Sequence, residues 1–235
     1  MKMIIISDLH NRVNWIESFL SSFKHDKVVF LGDYFDEFND TLNDIQKSAE
    51  WLKQSLQNPN RIHLMGTHDM WYRFLNPFLR ASGNNEGKWN IINDVLIDKD
   101  WSKLRLFHFE QDFLLTHAGL HQSLLGKHKF SIDYIKFLTD NALSDIKNNK
   151  ENQLLGAGFA RKGSQPFGGI TWLDWNKEFE PIPNLNQIVG HTTFEYLQMK
   201  HTKSSRNYNL DTKNKHIGIL ENGNFSWISN IFLQK

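Results

Sequence analysis

Three short apolar runs, separated by amphipathic stretches, constrain the fold of this chain more than any other feature of its sequence. The runs cover residues 3–6, 27–31 and 61–65, and they predict strands. Apolar residues at helical spacing predict helices over 14–23 and 41–56 between these strands, with Asp40 as the candidate cap of the second helix. This alternation predicts a parallel sheet that is covered by helices.

The rest of the chain is predicted to be richer in strands. These are predicted over 103–109, 113–116, 186–189, 195–199, 206–210, 217–220 and 225–228, with a hairpin turn at Asn222-Gly223 before the last. A helix is predicted over 131–149, and the glycine-rich residues 156–169 are interpreted as a mobile loop. Because no repeat or linker divides the chain, residues 1–235 are predicted to form one domain of α/β (α+β) class, with two packed mixed β-sheets flanked by helices.

The composition of the chain disfavours some kinds of binding partner and predicts the compartment of the protein. The chain has 27 basic and 26 acidic residues and no cysteine. Balanced charge predicts neither a membrane surface nor long nucleic acid as a partner, and the lack of cysteine excludes disulfides and thiolate metal sites. The apolar start is too short for a signal peptide, and no segment approaches the ~18 consecutive apolar residues of a membrane span. We therefore expect a cytoplasmic protein.

At five places a predicted strand runs directly into a cluster of Asp, His and Gly residues. The clusters are Ser7-Asp8-Leu9-His10, Gly32-Asp33-Tyr34-Phe35-Asp36, Gly66-Thr67-His68-Asp69, Thr116-His117-Ala118-Gly119 and Gly190-His191-Thr192-Thr193. Ligand sites of parallel α/β sheets form at the carboxyl ends of strands. The fold is therefore expected to bring these clusters to one rim.

The side chains in these clusters suit divalent metal ions. Asp8 and His10 are two residues apart and point the same way in an extended segment, Asp33 offers a bridging carboxylate, and His117 and His191 add two imidazoles. Carboxylates with imidazoles and no thiolate suit Mn²⁺, Fe or Zn²⁺, and paired ions are a common solution for phosphoryl chemistry. Each piece alone also has an ordinary interpretation as a turn or a core histidine, but five strand ends in order favour a metal site.

The five clusters, taken in order, resemble the signature blocks of the calcineurin-like metallophosphoesterase superfamily across residues 8–191. Asn209-Leu210-Asp211-Thr212, followed by Gly218 and Leu220, also resembles the closing strands of its phosphoprotein phosphatase and diadenosine tetraphosphatase branch. Within that branch, small bacterial and phage phosphatases are the most similar in size. The resemblance implies a hydrolase that acts on phosphate esters at the carboxyl ends of strands.

The resemblance also implies ligands for two divalent metal ions, with Mn²⁺ as the expected metal and Fe or Zn²⁺ as alternatives. Asp8, His10 and Asp33 would hold the first ion. Asp33 would bridge to the second ion, which His117 and His191 would also hold. The residue at position 67 is Thr, where the family usually has an Asn ligand. Because a Thr hydroxyl is a shorter and poorer neutral ligand, the second ion is expected to bind less tightly.

The catalytic roles that the resemblance implies fall on His68 and Asp36. His68 would be the general acid that protonates the leaving oxygen, and Asp36 would orient its imidazole, since a neighbouring carboxylate helps an imidazole to keep its proton. Asp69 is interpreted as either part of the site or an N-terminal charge of a helix.

A second departure from the family concerns substrate binding. Glu37 stands where the phosphatase branch usually has an Arg that binds substrate phosphate. Arg161 in the glycine-rich segment is the candidate substitute, and Arg73 and Arg80 are the alternatives.

The leading hypothesis is a phosphatase that hydrolyses monoesters of a phosphoprotein, nucleotide or dinucleotide, with in-line attack by metal-bound hydroxide. One alternative is a catalytically weakened binding or regulatory module, suggested by Thr67 and Glu37. Another is a phosphodiesterase or nuclease, which Thr193 disfavours because such superfamily members usually have His there.

Overall fold

The first of two sheets is built around the amino-terminal strand. In the computed structural model, which describes residues 1–233, its strands are ordered β10-β9-β1-β2-β3. They are β1 (Lys2–Ile6), β2 (Lys27–Phe30), β3 (Arg61–His63), β9 (His216–Glu221) and β10 (Asn224–Ser229). β1, β2 and β3 are parallel, as the alternation of strands and helices predicted, and β9 and β10 add an antiparallel hairpin.

The second sheet is also mixed, with its strands ordered β4-β5-β6-β8-β7. They are β4 (Phe107–Glu110), β5 (Phe113–Thr116), β6 (Asn186–Val189), β7 (Gln198–His201) and β8 (Arg206–Asn209). β5, β6 and β8 are parallel to one another, whereas β4 and β7 are antiparallel edge strands. The prediction of two mixed sheets in an α/β protein is therefore confirmed.

β1 is apolar from Met3 to Ile6 because both of its faces are covered. Met3 and Ile5 belong to an apolar cluster that also contains Phe113, Leu115 and other residues of the second sheet. Ile4 and Ile6 belong to a different cluster, which is formed with the helices. Because successive side chains of a strand point to opposite faces, a strand covered on both faces has no position for a polar residue.

Seven α-helices cover the sheets. They are α1 (Ile16–Ser22), α2 (Leu42–Ser55), α3 (Thr67–Phe74), α4 (Glu86–Val95), α5 (Asp98–Trp101), α6 (Gln122–Leu125) and α7 (Ile132–Lys147) within the described residues. Short 3₁₀ turns cover Pro77–Leu79, Gln153–Leu155 and Phe159–Arg161. Within residues 1–233, no helix combines the length and apolar character needed to cross a membrane.

Three local predictions were wrong. Asp40 does not cap α2, because Thr41 does so through a reciprocal capping box with Asp44. The strand predicted over 103–109 begins only at Phe107, since Arg105 forms an isolated bridge with Leu64 beside β3. The strand predicted over 195–199 is displaced to β7, where it pairs with β8.

The glycine-rich residues 156–169, which were predicted to be a mobile loop, form a loop with a 3₁₀ turn over Phe159–Arg161 that is extensively hydrogen-bonded. Its backbone closes on itself, for example where Phe159 N–H donates to Gln165 O over 2.8 Å. The buried Glu178 carboxylate accepts from Ala160 N–H at 3.0 Å and from Gly168 N–H at 2.9 Å. The loop is therefore attached to the following segment at two points.

Candidate active site and metal centre

The loops that follow β1, β2, β3 and β6 meet at one cavity of about 360 Å³. Its lining includes the predicted site residues His10, Asp33, Asp36, Thr67, His68, Arg161 and His191. His117, at the end of β5, is fully buried, and its Nε2 lies 3.3 Å from Asp33 Oδ2. The five clusters of the sequence therefore converge, although they are far apart along the chain.

The backbone at these strand ends is strained. Asp8, His10, Asp33, Asp36 and His191 have φ values of 43°, 43°, 54°, 66° and 70°. Left-handed conformations are unfavourable for residues with a Cβ, and such strain is concentrated at functional sites of proteins. These left-handed residues include the candidate ligands Asp8, His10, Asp33 and His191.

A first group of candidate ligands consists of Asp8, His10 and Asp33, whose donor atoms lie within 4.8 Å of one another. His10 Nδ1 lies 3.0 Å from Phe35 O and 2.8 Å from Asp36 O. Both partners are carbonyl oxygens, so Nδ1 carries the proton in the neutral ring. The lone pair is then on Nε2, which lies 3.7 Å from Asp33 Oδ2.

A second group consists of Asp33, His117 and His191, again within 4.8 Å. His117 Nδ1 lies 2.9 Å from Leu31 O, which places the lone pair of the neutral ring on Nε2. That atom lies 3.1 Å from His191 Nδ1. The arrangement orients imidazole lone pairs toward the shared carboxylate, as carbonyl partners do for metal-binding histidines.

Two buried polar atoms without hydrogen-bond partners indicate that these residues fit metal ions. Within residues 1–233, Asp8 Oδ2 and His191 Nε2 are buried and have no hydrogen-bond partner. Leaving such atoms unsatisfied costs about 1–3 kcal/mol each, more for a charged group. One orphaned atom belongs to each group, and Asp33 belongs to both. The donor set therefore fits two neighbouring divalent cations.

Gly190 shows how closely the two groups are packed. A Cβ at this position would lie 2.0 Å from Asp8 Oδ2, whereas the next residue, His191, donates its backbone N–H to Asp8 Oδ1 over 2.9 Å. A side chain would displace the carboxylate. Glycine is therefore required at position 190 by this close approach.

The electrostatics of the cluster favour a cation. Burial, followed by the charge of Asp211, raises the pKa of Asp8 well above its usual value. Burial acts in the same direction on Asp33, but His117 and His68 outweigh it and hold the pKa of Asp33 well below its usual value. Burial opposes the charge of His117, yet Asp33 and Asp8 raise its pKa to about 9. Positive charge is thus concentrated beside Asp33, and a metal ion would take the place of these protons.

Thr67 and Asp69 have different roles beside Asp33. The buried Thr67 hydroxyl donates to both carboxylate oxygens of Asp33 at 3.3 Å. Asp69 accepts from the backbone N–H groups of Asp33, Tyr34 and Gly66, each at 2.8 Å. Asp69 therefore fastens the loop after β2 to the start of α3, a larger structural role than a helix N-terminal charge.

Asp36 lies at the centre of a hydrogen-bond network. Its Oδ2 lies 3.1 Å from His68 Nδ1 and accepts from Asn84 Nδ2 over 2.7 Å. Its Oδ1 accepts from Tyr72 Oη over 2.7 Å and from Lys88 Nζ over 2.8 Å. Burial opposes the charge of Asp36, but His68 and Lys88 outweigh it and lower the pKa. Tyr72, Asn84 and Lys88 lie outside the five clusters, and nothing in the sequence marked them as site residues.

Of the three candidate arginines, Arg161 lines the cavity. Its Nη2 donates to Thr192 Oγ1 over 3.0 Å, and its Nε lies 2.9 Å from Asp174 Oδ2. Arg73 is instead directed at the Met65 sulfur and the ring of Phe74.

Arg80 lies over the Trp71 ring and lines a separate hollow. The two alternatives to Arg161, namely Arg73 and Arg80, thus lie away from the candidate site.

Other residues of the cavity were not predicted as site residues, although one of them, Asp211, belongs to the Asn209-Leu210-Asp211-Thr212 segment that resembles the phosphatase branch. Arg12, Trp172, Asp211 and Lys213 line the cavity beside the predicted residues. Arg12 donates to Asp8 O over 3.0 Å and also pairs with Glu37. A basic group therefore lies beside Glu37 in space, although none follows Asp36 in the sequence.

A sequence model of the calcineurin-like phosphoesterase family matches residues 1–193, which is most of the chain. The chain belongs to the calcineurin-like phosphoesterase family. Its members are hydrolases that act on phosphate esters with divalent metal ions, in agreement with the two ligand groups described above. Among curated proteins, none matches the sequence.

Solved structures of this phosphoesterase fold include two phosphatases. The cold-active protein-tyrosine phosphatase of a psychrophilic Shewanella species aligns with a TM-score of 0.61 at 15% identity, over 96% of this chain and 80% of that chain. A protein serine/threonine phosphatase from Saccharomyces cerevisiae aligns with a TM-score of 0.51 at 12% identity, over 98% of this chain and 80% of that chain. At such identities the likeness establishes the fold alone.

Proposed function

We propose that this phosphoesterase is a phosphatase that hydrolyses phosphate monoesters with two divalent metal ions. The observation that carries the proposal is the position of Asp33 Oδ2, which lies 3.7 Å from His10 Nε2 on one side and 3.3 Å from His117 Nε2 on the other. A carboxylate shared by two ligand groups can hold two ions close together, as two-ion catalytic sites do.

Asp8, His10 and Asp33 would hold one ion, and Asp33, His117 and His191 would hold the other, with Mn²⁺ as the expected metal and Fe or Zn²⁺ as alternatives. The ions would supply positive charge for the phosphate oxygens and lower the pKa of water to near neutrality.

His68 is assigned the role of general acid. Its Nδ1 faces the Asp36 carboxylate at 3.1 Å, so the other ring nitrogen remains for a leaving oxygen in the cavity. Burial opposes the charge of His68, but Asp33 and Asp36 raise its pKa, so the imidazole retains the proton that it must donate. Water provides the oxygen that replaces the leaving group, and the products are an alcohol and inorganic phosphate.

Arg161 is assigned to the substrate phosphate, because its guanidinium group lines the cavity beside His191. The two proteins that share this fold are named a protein-tyrosine phosphatase and a protein serine/threonine phosphatase, and we extend their substrate class, phosphate monoesters of proteins, to this chain as part of the proposal. Thr193 also supports a monoester substrate. Its hydroxyl donates to Asp211, whereas phosphodiesterases of the superfamily usually have a second His at this position.

One observation favours a weaker second candidate, a binding or regulatory module. The Thr67 hydroxyl is used in hydrogen bonds to Asp33, so the ion at His117 and His191 would lack a neutral protein ligand from this position. Weak binding of that ion would reduce turnover at low metal concentration.

The proposal is tested by titrating metal-stripped protein with Mn²⁺ while p-nitrophenyl phosphate hydrolysis and bound metal are measured. Asp33→Asn should lose both ions, whereas His10→Ala and His117→Ala should each lose one. Thr67→Asn should reach half-maximal activity at a lower Mn²⁺ concentration than the natural chain.

Three outcomes would contradict parts of the proposal. Binding of a single ion per chain would exclude the two-ion site. Faster hydrolysis of bis(p-nitrophenyl) phosphate than of the monoester would indicate a phosphodiesterase. Activity in Thr67→Asn alone would indicate the regulatory module.

A further inference from the structure

The two oxygens of the Asp36 carboxylate each receive two hydrogen bonds. Oδ1 accepts from Tyr72 Oη and Lys88 Nζ, at 2.7 and 2.8 Å, while Oδ2 receives Asn84 Nδ2 at 2.7 Å and faces His68 Nδ1 at 3.1 Å. Four partners on one carboxylate determine its rotation about the Cβ–Cγ bond. The direction in which Oδ2 meets His68 therefore depends on the groups that hold Oδ1.

Lys88 is the charged group among the partners of Oδ1. Lys88 is only 8% exposed, and its ammonium group also donates to Asp40 Oδ2 over 2.8 Å. Asp40 in turn accepts from Asn11 Nδ2 at 3.1 Å and from Glu37 N–H at 3.2 Å. One buried cation thus neutralises two carboxylates of the loop after β2 and fastens that loop to α4.

The position of Lys88 separates it from substrate. Within residues 1–233, the residues that line the cavity include Asp36, Glu37 and Gly83 but not Lys88. The backbone N–H of Lys88 donates to the Asn85 side chain that caps α4, which holds this residue in the first turn of the helix. Any effect of Lys88 on hydrolysis must therefore pass through its two carboxylate partners, Asp36 and Asp40.

We propose that Lys88 is a positioning residue for proton donation: by holding Asp36 Oδ1, it keeps Oδ2 on His68 Nδ1 and so keeps the opposite ring nitrogen of His68 directed at the leaving oxygen. The inference rests on the proposed phosphatase activity. Without Lys88, Tyr72 alone would hold Oδ1, and the carboxylates of Asp36 and Asp40 would repel each other at close range.

The dependence of kcat on the leaving group distinguishes a role of Lys88 in proton donation from a general structural role. 2,4-Dinitrophenolate leaves without much protonation, whereas phenolate needs a proton from the general acid. For Lys88→Met we expect a roughly 10- to 100-fold lower kcat on phenyl phosphate, at most a roughly threefold loss on 2,4-dinitrophenyl phosphate, and similar KM values. Lys88→Arg should restore part of the loss, because it keeps a cation at Asp36.

A double-mutant cycle provides the second readout. In a His68→Gln background, Lys88→Met should cause no further loss on phenyl phosphate, because the group that it positions is gone. Asp40→Asn is the matched control, since it removes the negative charge of the other partner of Lys88 and leaves the contact with Asp36. If Lys88→Met does not fold, Lys88→Gln, which keeps a donor without the charge, should show the same pattern to a smaller degree.

Equal losses on both esters, a change in KM alone, or additive losses in the His68→Gln background would overturn the role of Lys88 while leaving the phosphatase activity intact. A natural chain that hydrolyses neither ester in Mn²⁺ would instead overturn the proposed function, and the role of Lys88 with it.

Discussion

The buried His63 at the end of β3 should make the stability of this protein depend on pH in a way that one substitution can isolate. Its Nδ1 lies 2.9 Å from Tyr34 Oη, and its Nε2 lies 3.0 Å from Ser55 Oγ. Its ring stacks on Phe30 with 4.6 Å between centroids. Burial, together with the charge of Arg61, lowers the pKa of His63 to about 3.

The direction in which stability changes with pH depends on how many protons the folded and unfolded states bind at His63. Between the lowered pKa of about 3 in the folded protein and the ordinary value of 6.5, the unfolded chain binds a proton at this residue and the folded chain does not. Stability is therefore present above pH 6.5 and is lost as the pH falls toward 3. With ~1.4 kcal/mol per pKa unit, the expected loss between pH 7 and pH 5 is about 2 kcal/mol.

The assay is urea unfolding of metal-free protein at pH 7, 6 and 5, for the natural chain and for His63→Gln. The amide of Gln keeps hydrogen-bonding capacity toward Tyr34 and Ser55 but does not titrate. The variant should be less stable at pH 7, and its deficit should shrink by about 2 kcal/mol at pH 5. A deficit that stays constant with pH would refute the reasoning, because it would mean that His63 titrates equally in both states.

Three further outcomes follow from contacts at the site. Gly190→Ala should fold but lose more than about 100-fold in activity, measured as kcat/KM at saturating Mn²⁺, because its Cβ would displace Asp8 Oδ2; retained activity would contradict the close approach. Asp69→Asn should lower the free energy of unfolding by about 3 kcal/mol, since its amide cannot accept from all three backbone N–H groups, and unchanged urea unfolding would contradict this. Glu178→Gln should raise KM several-fold with little change in kcat, because it loosens the loop that carries Arg161, and steady-state kinetics with an unchanged KM would refute it.

The fold was predictable from sequence wherever one physical rule decided the local structure. Alternation of apolar runs and amphipathic stretches in residues 1–65 predicted the parallel order of β1, β2 and β3. The exceptions have tertiary causes. Asp40 was predicted to cap α2, but its carboxylate forms a bond with Lys88 instead, and the adjacent Thr41 provides the cap.

The candidate ligands were predictable because each one lies within four residues after the end of a strand. A carboxylate or imidazole at a strand end has few positions open to it, so residue type and order were enough to propose Asp8, His10, Asp33, His117 and His191. Their spacing within two groups that share Asp33 required the structure, because it depends on how the two sheets pack.

The groups that support these ligands could be found only in the tertiary structure. Lys88 is 52 residues from Asp36 in sequence, and Arg12 reaches Glu37 from a different loop. Such partners carry no spacing rule, since loops and helices bring them together only when the chain is folded. Residue types and their order along the chain were enough to predict the candidate donor atoms and their attachment to strands. The packing of α4 and of the two sheets decided which buried charges neutralise one another, because electrostatic energy depends on distance in space and not along the chain.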